Sequence, residues 1–333
     1  MTAKPLAPHG WLILDKPVGM GSTQAVGAVK RNLREAGYPK VKVGHGGTLD
    51  PLAEGVLPIA LGEATKLAGR MLDASKIYEF TIQFGAETTT LDSEGEVVAQ
   101  TGRRPPIVAV AAVLEHFTGN IEQIPPAYSA LKVDGKRAYD RARAGEQVEM
   151  KPRSVKIHSL EFPSGAGRMD DVESTFDTVG GRPDPYDPAA PLELADAVTL
   201  VAHVSKGTYI RSLARDIARS LGTLGHVTYL RRIKAGPFTE TSAISLDKLN
   251  TVGKGARLED IILPMEAGLD DIPALDLSPD EAGAIRQGRV LSGQPQADGL
   301  YWARAGTVPV ALVELSEGST KIVRGFNLPD VAE

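Results

Sequence analysis

The sequence GHGGTLDPLAEGVLPIALGEATK occupies residues 44–66 and opens with three glycines close to a carboxylate, Asp50. Glycines allow backbone conformations that other residues avoid and let another molecule come close. Pro51 restricts the chain directly after the carboxylate. The loop is therefore predicted to present Asp50 rigidly, and such a group can act as a nucleophile or a base without a cofactor. An ordinary glycine-rich turn is the alternative interpretation of the loop alone.

Apolar periodicity predicts regular elements on both sides of this loop. WLILD at residues 11–15 is typical of a strand, and the helix after it is capped by Ser22 or Thr23 and stopped by Gly37. The same reasoning predicts these further elements: helices at 63–73 and 107–117 and within 208–222, strands at 78–84 and 198–205, and a tail with a helix after Ser278 and strands at 308–315 and 321–326.

Cationic side chains are concentrated in two of these segments. Arg211, Arg215 and Arg219 fall at positions i, i+4 and i+8 of the predicted helix and form one stripe, a feature that is usually solvated. The segment 125–153 interleaves lysines and arginines with tyrosines such as Tyr128. That pattern suits RNA binding, and a solvated helix face has the same pattern.

The composition excludes several classes of protein. A length of 333 residues, 42% of them hydrophobic, predicts one large domain and a smaller one. The chain has no cysteine, which excludes disulfide frameworks and thiolate chemistry, and its six histidines show no metal-ligand spacing. Phosphate-loop, nucleophile-elbow and HExxH motifs are missing from the sequence. Neither a signal peptide nor an apolar run of about 18 residues occurs, so we expect a cytoplasmic protein.

Charge is distributed unevenly along the chain. The net charge of -5 argues against a nucleic-acid ligand when taken alone. Residues 1–50, however, carry seven Lys or Arg against three Asp or Glu, and residues 201–250 carry eight against three. Such blocks can attract a polyanion locally even on an acidic protein, although chance patchiness explains them equally well.

Six blocks in this order resemble the TruB family of tRNA pseudouridine synthases. They are LDKPVGM, GHGGTLDPLAEGVLPIALGEATK, KIYEF, IPPAYSALKVDGKRAY, SKGTYIRSLARDIA and HVTYLRR. The resemblance covers residues 11 to about 250. It implies an α/β protein with a mixed sheet and the isomerisation of uridine to pseudouridine at position 55 in the T-loop of tRNA. It also implies that neither a cofactor nor a metal takes part.

The resemblance implies roles for particular residues. Asp50 would attack the target uridine, either at the base or at ribose C1′. Tyr78 would stack on the flipped base, and Tyr209 and Arg211 would line the same pocket, with Arg211 paired to Asp50.

Two further groups of residues are implied to meet the RNA. His45 would enter the space vacated in the T-loop, and Leu230 would supply an apolar wall. Contacts with the RNA backbone are expected from a last set: Lys16, Tyr128, Lys132 and Lys136.

The same resemblance divides the chain. We expect a catalytic domain at 1–250, a linker at 251–265 and a small β-rich, PUA-like RNA-binding domain at 266–333. Within the first domain, 125–153 forms a basic RNA-binding flap, and 163–197 is an Asp-, Pro- and Gly-rich insertion in which regular structure is disfavoured. A monomer that binds the T-stem-loop of tRNA, with no obligate protein partner and no membrane, is expected.

Two departures from the family and two alternative functions stay open. The family commonly has Thr at the position of Gly46 and Ser or Thr at the position of Gly21, so any hydroxyl contact there is missing. The first alternative is an RNA chaperone that assists tRNA folding. The enzyme is favoured over it by the joint retention of four residues: Asp50, Tyr78, Tyr209 and Arg211. The second is a guide-RNA-dependent homologue acting on ribosomal RNA, which we expect to carry a long basic extension.

Overall fold

The computed structural model describes residues 5–133, 135–163 and 193–328. Most of the insertion predicted at 163–197 therefore lies outside the described residues. The chain divides into two compact units. The first unit combines Met1–Ala74 with Lys234–Glu333, and the second unit is Ser75–Ile233.

The first unit begins with three strands and three helical segments. In chain order these are β1 (Gly10–Lys16), α1 (Ser22–Glu35), β2 (Val43–His45), β3 (Glu54–Leu61), a 3₁₀ helix (Gly62–Leu67) and α2 (Ala68–Asp73). Both β1 and β2 pair antiparallel with β3, and the register places Lys16 opposite Gly55 and His45 opposite Ile59. The candidate catalytic loop, residues 46–53, therefore joins two neighbouring strands of one sheet.

The second unit contains five strands that pair side by side in the order β12-β4-β11-β10-β7. Its elements are β4 (Lys76–Phe84), β5 (Ala86–Thr88), β6 (Val97–Gln100), α3 (Ile107–Leu114), a 3₁₀ helix (Glu115–Phe117), β7 (Gly119–Gln123), β8 (Lys132–Val133), β9 (Lys136–Arg137), α4 (Ala138–Arg143), β10 (Arg153–Glu161), β11 (Ala197–Val204), α5 (Ile210–Ser220) and β12 (Gly225–Ala235). Helix α5 buries Ile210, Leu213 and Ile217, as its periodicity predicts.

The first unit ends in a small mixed sheet with the strand order β14-β15-β16-β17. The elements from residue 238 onward are β13 (Phe238–Thr239), α6 (Leu246–Gly253), β14 (Ala274–Asp276), α7 (Pro279–Arg286), β15 (Gly299–Ala305), β16 (Val308–Ser316) and β17 (Ser319–Gly325), with 3₁₀ turns at Glu240–Ser242, Leu258–Asp260 and Met265–Gly268. Strand β14 runs parallel to β15, and the other pairs are antiparallel. The predicted mixed α/β class and β-rich tail are confirmed.

The C-terminal sheet and the N-terminal strands of the first unit share a hydrophobic cluster. Trp11 is fully buried there, and Trp302, Leu312 and Phe326 belong to the same cluster. The Trp11 indole N–H also donates to the Met265 carbonyl at 3.2 Å. The tail therefore contributes to the core of the first unit, while the predicted domain boundaries and the PUA-like character stay predictions.

Most elements agree with the periodicity, and two details differ. The helix predicted at 63–73 is a 3₁₀ turn followed by α2. Helix α1 is preceded by Gly21, and the hydroxyl of Ser22 does not cap it, because that hydroxyl bonds a distant loop. Within the described part of the chain, no helix is long and apolar enough to cross a membrane.

Candidate active site

Helix α1 and the loop at 46–53 are joined by the side chain of Ser22. Its hydroxyl donates to the Leu49 carbonyl at 3.0 Å and accepts from the Leu49 N–H at 2.8 Å. Leu49 is buried. Gly47 adopts a φ of 142°, a backbone conformation that residues other than glycine rarely adopt. Hydrogen bonds to both the N–H and the carbonyl of Leu49 therefore fix the backbone next to Asp50.

Asp50 follows Leu49 at the half-exposed edge of this loop. On its other side the chain returns to the core at Leu52 and Ala53, which are 9% and 0% exposed. The Asp50 carbonyl accepts from the Ala53 N–H at 3.1 Å, which closes a tight turn. Anchored backbone and an accessible carboxylate are the properties that a positioned nucleophile or base needs.

Lys16 supports the same loop from the end of β1. The residue is completely buried, and its ammonium donates to the carbonyls of Met20 at 2.7 Å, Pro17 at 3.0 Å and Pro51 at 3.4 Å. An ammonium has three N–H donors, and all three are used here. This placement does not fit the predicted contact between Lys16 and the RNA backbone, and it makes Lys16 a support of the chain beside Asp50.

Gly46 fits its position because of a close neighbour. A Cβ at this residue would lie 2.6 Å from the Cβ of Met71 and 3.5 Å from Pro58. Real Cβ atoms do not approach that closely, so a side chain here requires α2 to shift. Gly46, at a position where the family that the sequence resembles commonly has threonine, is thus accompanied by tight packing. His45, one residue earlier, is half-buried on β2.

Arg211 is the centre of a buried polar cluster in the second unit. It is 4% exposed, and its Nη1 and Nη2 donate to the carbonyls of Thr90 at 2.8 Å and Tyr128 at 3.0 Å. Its Nη1 also lies 3.3 Å from the Asp92 carboxylate, which is almost completely buried. A guanidinium keeps its charge and holds several acceptors in a fixed fork, so this cluster defines where Arg211 points.

The loop that carries Asp92 is itself tightly built. Asp92 accepts from the Glu94 N–H at 3.1 Å and from the Thr90 hydroxyl, and the Thr88 hydroxyl donates to the Asp92 carbonyl at 2.6 Å. The preceding residue, Leu91, has a φ of 63°, a left-handed conformation that costs a leucine about 1–2 kcal/mol. Such strain persists only where surrounding contacts enforce it, and it often marks functional sites.

Three predicted pocket residues lie on neighbouring elements of the second unit. Tyr78 is half-buried on β4, and Leu230 is 5% exposed on β12, the next strand of the sheet. Tyr209 precedes α5 directly and is half-buried. The aromatic and apolar side chains expected around a flipped base thus lie on adjacent strands and at one helix start.

The predicted flap, residues 125–153, carries three of its cations on a short hairpin. Strands β8 and β9 pair Lys132 with Arg137 and Val133 with Lys136, and all three of these cationic residues are exposed. Tyr128 is half-buried at the start of the flap, where its carbonyl meets Arg211. The flap therefore contacts the Arg211 cluster through its backbone and presents lysines to solvent.

Two family models match this chain. The family model for the N-terminal domain of the TruB family of pseudouridylate synthases matches residues 31–178, and the model for the tRNA pseudouridylate synthase B C-terminal domain matches residues 211–270. A tRNA pseudouridine synthase B from Novosphingobium aromaticivorans is 64% identical over 97% of this chain and 99% of its own length. The chain belongs to the TruB family.

A second relative agrees with this membership, and two solved structures share the fold. The tRNA pseudouridine synthase B of Zymomonas mobilis is 54% identical over 96% of this TruB-family chain and 97% of its own. A chain from an H/ACA ribonucleoprotein bound to a substrate RNA containing 2′-deoxyuridine matches with a TM-score of 0.66 over 97% of this chain and 86% of that one, at 23% identity. A chain from a Cbf5–Nop10–Gar1 complex matches with a TM-score of 0.64 over 98% of this chain and 90% of that one, at 24% identity. The predicted pseudouridine synthase fold is confirmed, and the protein is an isomerase.

The structure places the predicted TruB-family residues in two groups. The first group is in the first unit, where Asp50 lies in the loop of residues 46–53 and Lys16 and His45 lie beside that loop. The second group is in the second unit and comprises Tyr78, Tyr209, Arg211 and Leu230. An ion pair between Asp50 and Arg211 stays a prediction. Two residues missed by sequence reasoning, Asp92 and Gln123, contact Arg211 and Tyr209, respectively.

Proposed function

We propose that this protein isomerises uridine to pseudouridine at position 55 in the T-loop of tRNA. The observation that carries the proposal is the loop of residues 46–53, in which Ser22 and Lys16 fix the backbone while Asp50 stays accessible. A relative named tRNA pseudouridine synthase B is 64% identical to this chain. A tRNA substrate also supports a cytoplasmic location.

The reaction exchanges one bond to the ribose for another. The bond between C1′ and N1 of uracil breaks, the base rotates, and C5 joins C1′. The proton on C5 leaves to water, and N1 ends with a proton, so the product is an isomer of the substrate. Asp50 acts as the nucleophile and forms a bond to the base or to C1′. This bond breaks again before the product leaves, which regenerates the carboxylate, and neither step needs a redox partner.

The base must leave its stack before Asp50 can reach it. Flipping a nucleotide costs a few kcal/mol, and stacking on an aromatic side chain returns about 1–3 kcal/mol per base. In the proposal Tyr78 provides that stacking, Tyr209 and Leu230 close the pocket, and His45 fills the position that the base vacates. A closed apolar pocket also keeps water away from the broken glycosidic bond.

Arg211 supplies fixed positive charge beside the reacting groups. Its guanidinium is already oriented by Asp92, Thr90 and Tyr128 before any substrate binds. We infer that it pairs with Asp50 and keeps that carboxylate ionised and aimed at the base. Exposed Lys132 and Lys136, together with Tyr128, hold the RNA backbone from the flap.

One assay tests the proposal directly. A T-stem-loop RNA labelled with tritium at uridine C5 is incubated with the wild type and with Asp50→Asn, and label released to water is measured. The wild type should release one tritium per target uridine, and Asp50→Asn should release almost none while it keeps most of its RNA affinity. Binding by the wild type without release would support the tRNA-folding chaperone instead.

A second substrate tests the position. Replacing only the uridine at position 55 of full-length tRNA by cytidine should abolish release from an otherwise uniformly labelled molecule. Continued release would show that another uridine is the target and would refute this part of the proposal.

A further inference from the structure

Gln123 is a buried amide that bonds the main chain of a single residue twice. It is 0% exposed, its Oε1 accepts from the Tyr209 N–H at 2.8 Å, and its Nε2 donates to the Tyr209 carbonyl at 3.1 Å. This arrangement copies the paired bonds between two antiparallel strands. The amide is thus satisfied on both atoms by the residue that directly precedes α5.

The next residue continues the same connection. The Ile124 carbonyl accepts from the Ser212 hydroxyl at 2.9 Å and from Arg215 Nη2 at 3.1 Å. Helix α5 receives no hydrogen bond from the side chain of Tyr209 at its N-cap position. We call Gln123 and Ile124, with their partners Tyr209, Ser212 and Arg215, the hinge clasp.

The hinge clasp lies where the flap leaves the sheet. Gln123 is the last residue of β7 and pairs with Arg153, the first residue of β10, so the chain departs and returns at the same rung of the sheet. Five residues beyond Gln123, the Tyr128 carbonyl binds Arg211. The base of the flap is therefore attached to the start of α5 on both sides of Arg211.

We propose that Gln123 is a positioning residue for the reaction, acting through the main chain of Tyr209 and the first turn of α5. This inference rests on the proposed function. The hydrogen bonds of the Gln123 amide go to the main chain of Tyr209 and not to the side chain of Arg211. Gln123 sets the point from which the side chains of Tyr209 and Arg211 project, and it couples that point to the base of the RNA-binding flap.

The chemistry requires an amide at this position. Gln offers one acceptor and two donors, whereas an ionised Glu offers only acceptors and would face the Tyr209 carbonyl with a second negative oxygen. A buried carboxyl has a raised pKa because burial disfavours its charged form. A protonated Glu again carries a donor and an acceptor, so Gln123→Glu should recover the clasp when the pH falls.

Four charged side chains lie near Gln123. Arg153 lies opposite it on β10, Glu122 precedes it on β7, and Arg215 with its ion-pair partner Asp216 lies on α5. The wild type and the Gln123 variants carry these same four side chains. A change between pH 6 and pH 8 in the activity of a variant relative to the wild type therefore reports on residue 123.

The experiment compares wild type, Gln123→Glu, Gln123→Leu and the control Glu122→Gln in the tritium-release assay. We expect Gln123→Leu to lower kcat about 10- to 100-fold, as misplacement by about 1 Å can do, with less than a threefold change in Kd for the T-stem-loop. Gln123→Glu should give a kcat, relative to wild type at the same pH, that rises at least fivefold from pH 8 to pH 6. Glu122→Gln, exposed on the same strand, should match wild type.

Several outcomes overturn the inference. A wild-type kcat in Gln123→Leu would do so, and so would a pH-independent ratio for Gln123→Glu. Hydrogen exchange at the Tyr209 amide separates this inference from the proposed function, because Gln123→Leu should accelerate that exchange even if the wild type releases no tritium. Failure of wild-type release refutes the function, whereas unchanged exchange refutes the clasp.

Discussion

At the scale of single residues, Asp92 shows the cost of breaking a buried ion pair. Asp92 and Arg211 have side-chain exposures of only 2% and 5%. Asp92→Asn leaves the guanidinium charged and buried, so we expect the free energy of unfolding to fall by about 3–5 kcal/mol in urea titrations. The control Asp216→Asn removes the ion pair between Asp216 and Arg215, which is partly exposed. It should lower the free energy of unfolding by about 1 kcal/mol or less.

A double variant checks the cause. The double variant Asp92→Asn with Arg211→Met removes both charges. Its decrease in the free energy of unfolding should be smaller than the sum of the decreases in the two single variants. Additive losses would show that the charge pair is not what the Asn substitution disturbs.

Gly46 gives a second prediction at this scale. Its Cβ would meet Met71 at 2.6 Å, while the space around Gly44 is open. Gly46→Ala should therefore destabilise the protein by about 1–3 kcal/mol through overpacking, and Gly44→Ala should have a much smaller effect. Thermal unfolding of the two variants measures the difference, and equal melting temperatures would contradict the packing argument.

Single residues also show how far the sequence could predict the site. The pattern of Arg211, Arg215 and Arg219 indicates one solvated stripe, but Arg211 is buried while Arg219 is exposed beside Glu87. The partners of Arg211 come from loops more than 80 residues earlier in the chain. No local spacing encodes such contacts, which is why Asp92 and Gln123 were missed.

At the scale of elements, α1 shows a side chain used for tertiary rather than local bonding. The sequence predicts that Ser22 or Thr23 caps this helix. The Ser22 hydroxyl instead bonds the N–H and the carbonyl of Leu49. Ser22→Ala should cost about 1–3 kcal/mol for the two groups left unpaired and lower kcat about tenfold by loosening the loop of Asp50. Thr23→Ala, exposed on the same turn, should keep wild-type kcat, and an equal loss in both variants would contradict the role of Ser22.

The 3₁₀ helix at Gly62–Leu67 predicts a pH dependence. His9 Nδ1 accepts from the Glu63 N–H at 3.0 Å, and burial lowers the pKa of His9, a shift that the nearby Glu63 charge partly opposes. A lowered pKa in the folded state means that protonation favours the unfolded chain. Stability contributed by this contact is therefore complete above about pH 6.5 and lost as the pH falls toward the lower folded-state pKa.

The matching variant isolates this residue from other titrating groups. In His9→Asn the amide oxygen can accept the same bond and does not titrate. Urea midpoints of the wild type should fall more than those of His9→Asn between pH 7 and pH 5. Parallel curves would show that His9 does not contribute.

At the scale of the whole molecule, charge is segregated in a way that the net value of -5 conceals. Lys30, Arg31 and Arg34 are exposed on α1, and no carboxylate in the described part of the chain pairs with them. Helix α1 begins at Ser22, which is attached to the loop of Asp50. An α-helix rises about 1.5 Å per residue, so these cations lie roughly 12–18 Å from Ser22 along the helix axis.

This spacing predicts contact with RNA beyond the stem-loop that reaches Asp50. Each phosphate neutralised by a cation releases bound counterions, so the slope of log K against log salt changes by about 0.9 per duplex contact. The triple variant Lys30→Gln, Arg31→Gln and Arg34→Gln should lower the magnitude of the slope for full-length tRNA by about 2–3, leave the slope for the isolated T-stem-loop unchanged, and keep kcat within twofold. Identical slopes for wild type and variant on full-length tRNA would show that these three cations are an ordinary solvated face. An equal change on both RNAs would place their contacts within the stem-loop itself.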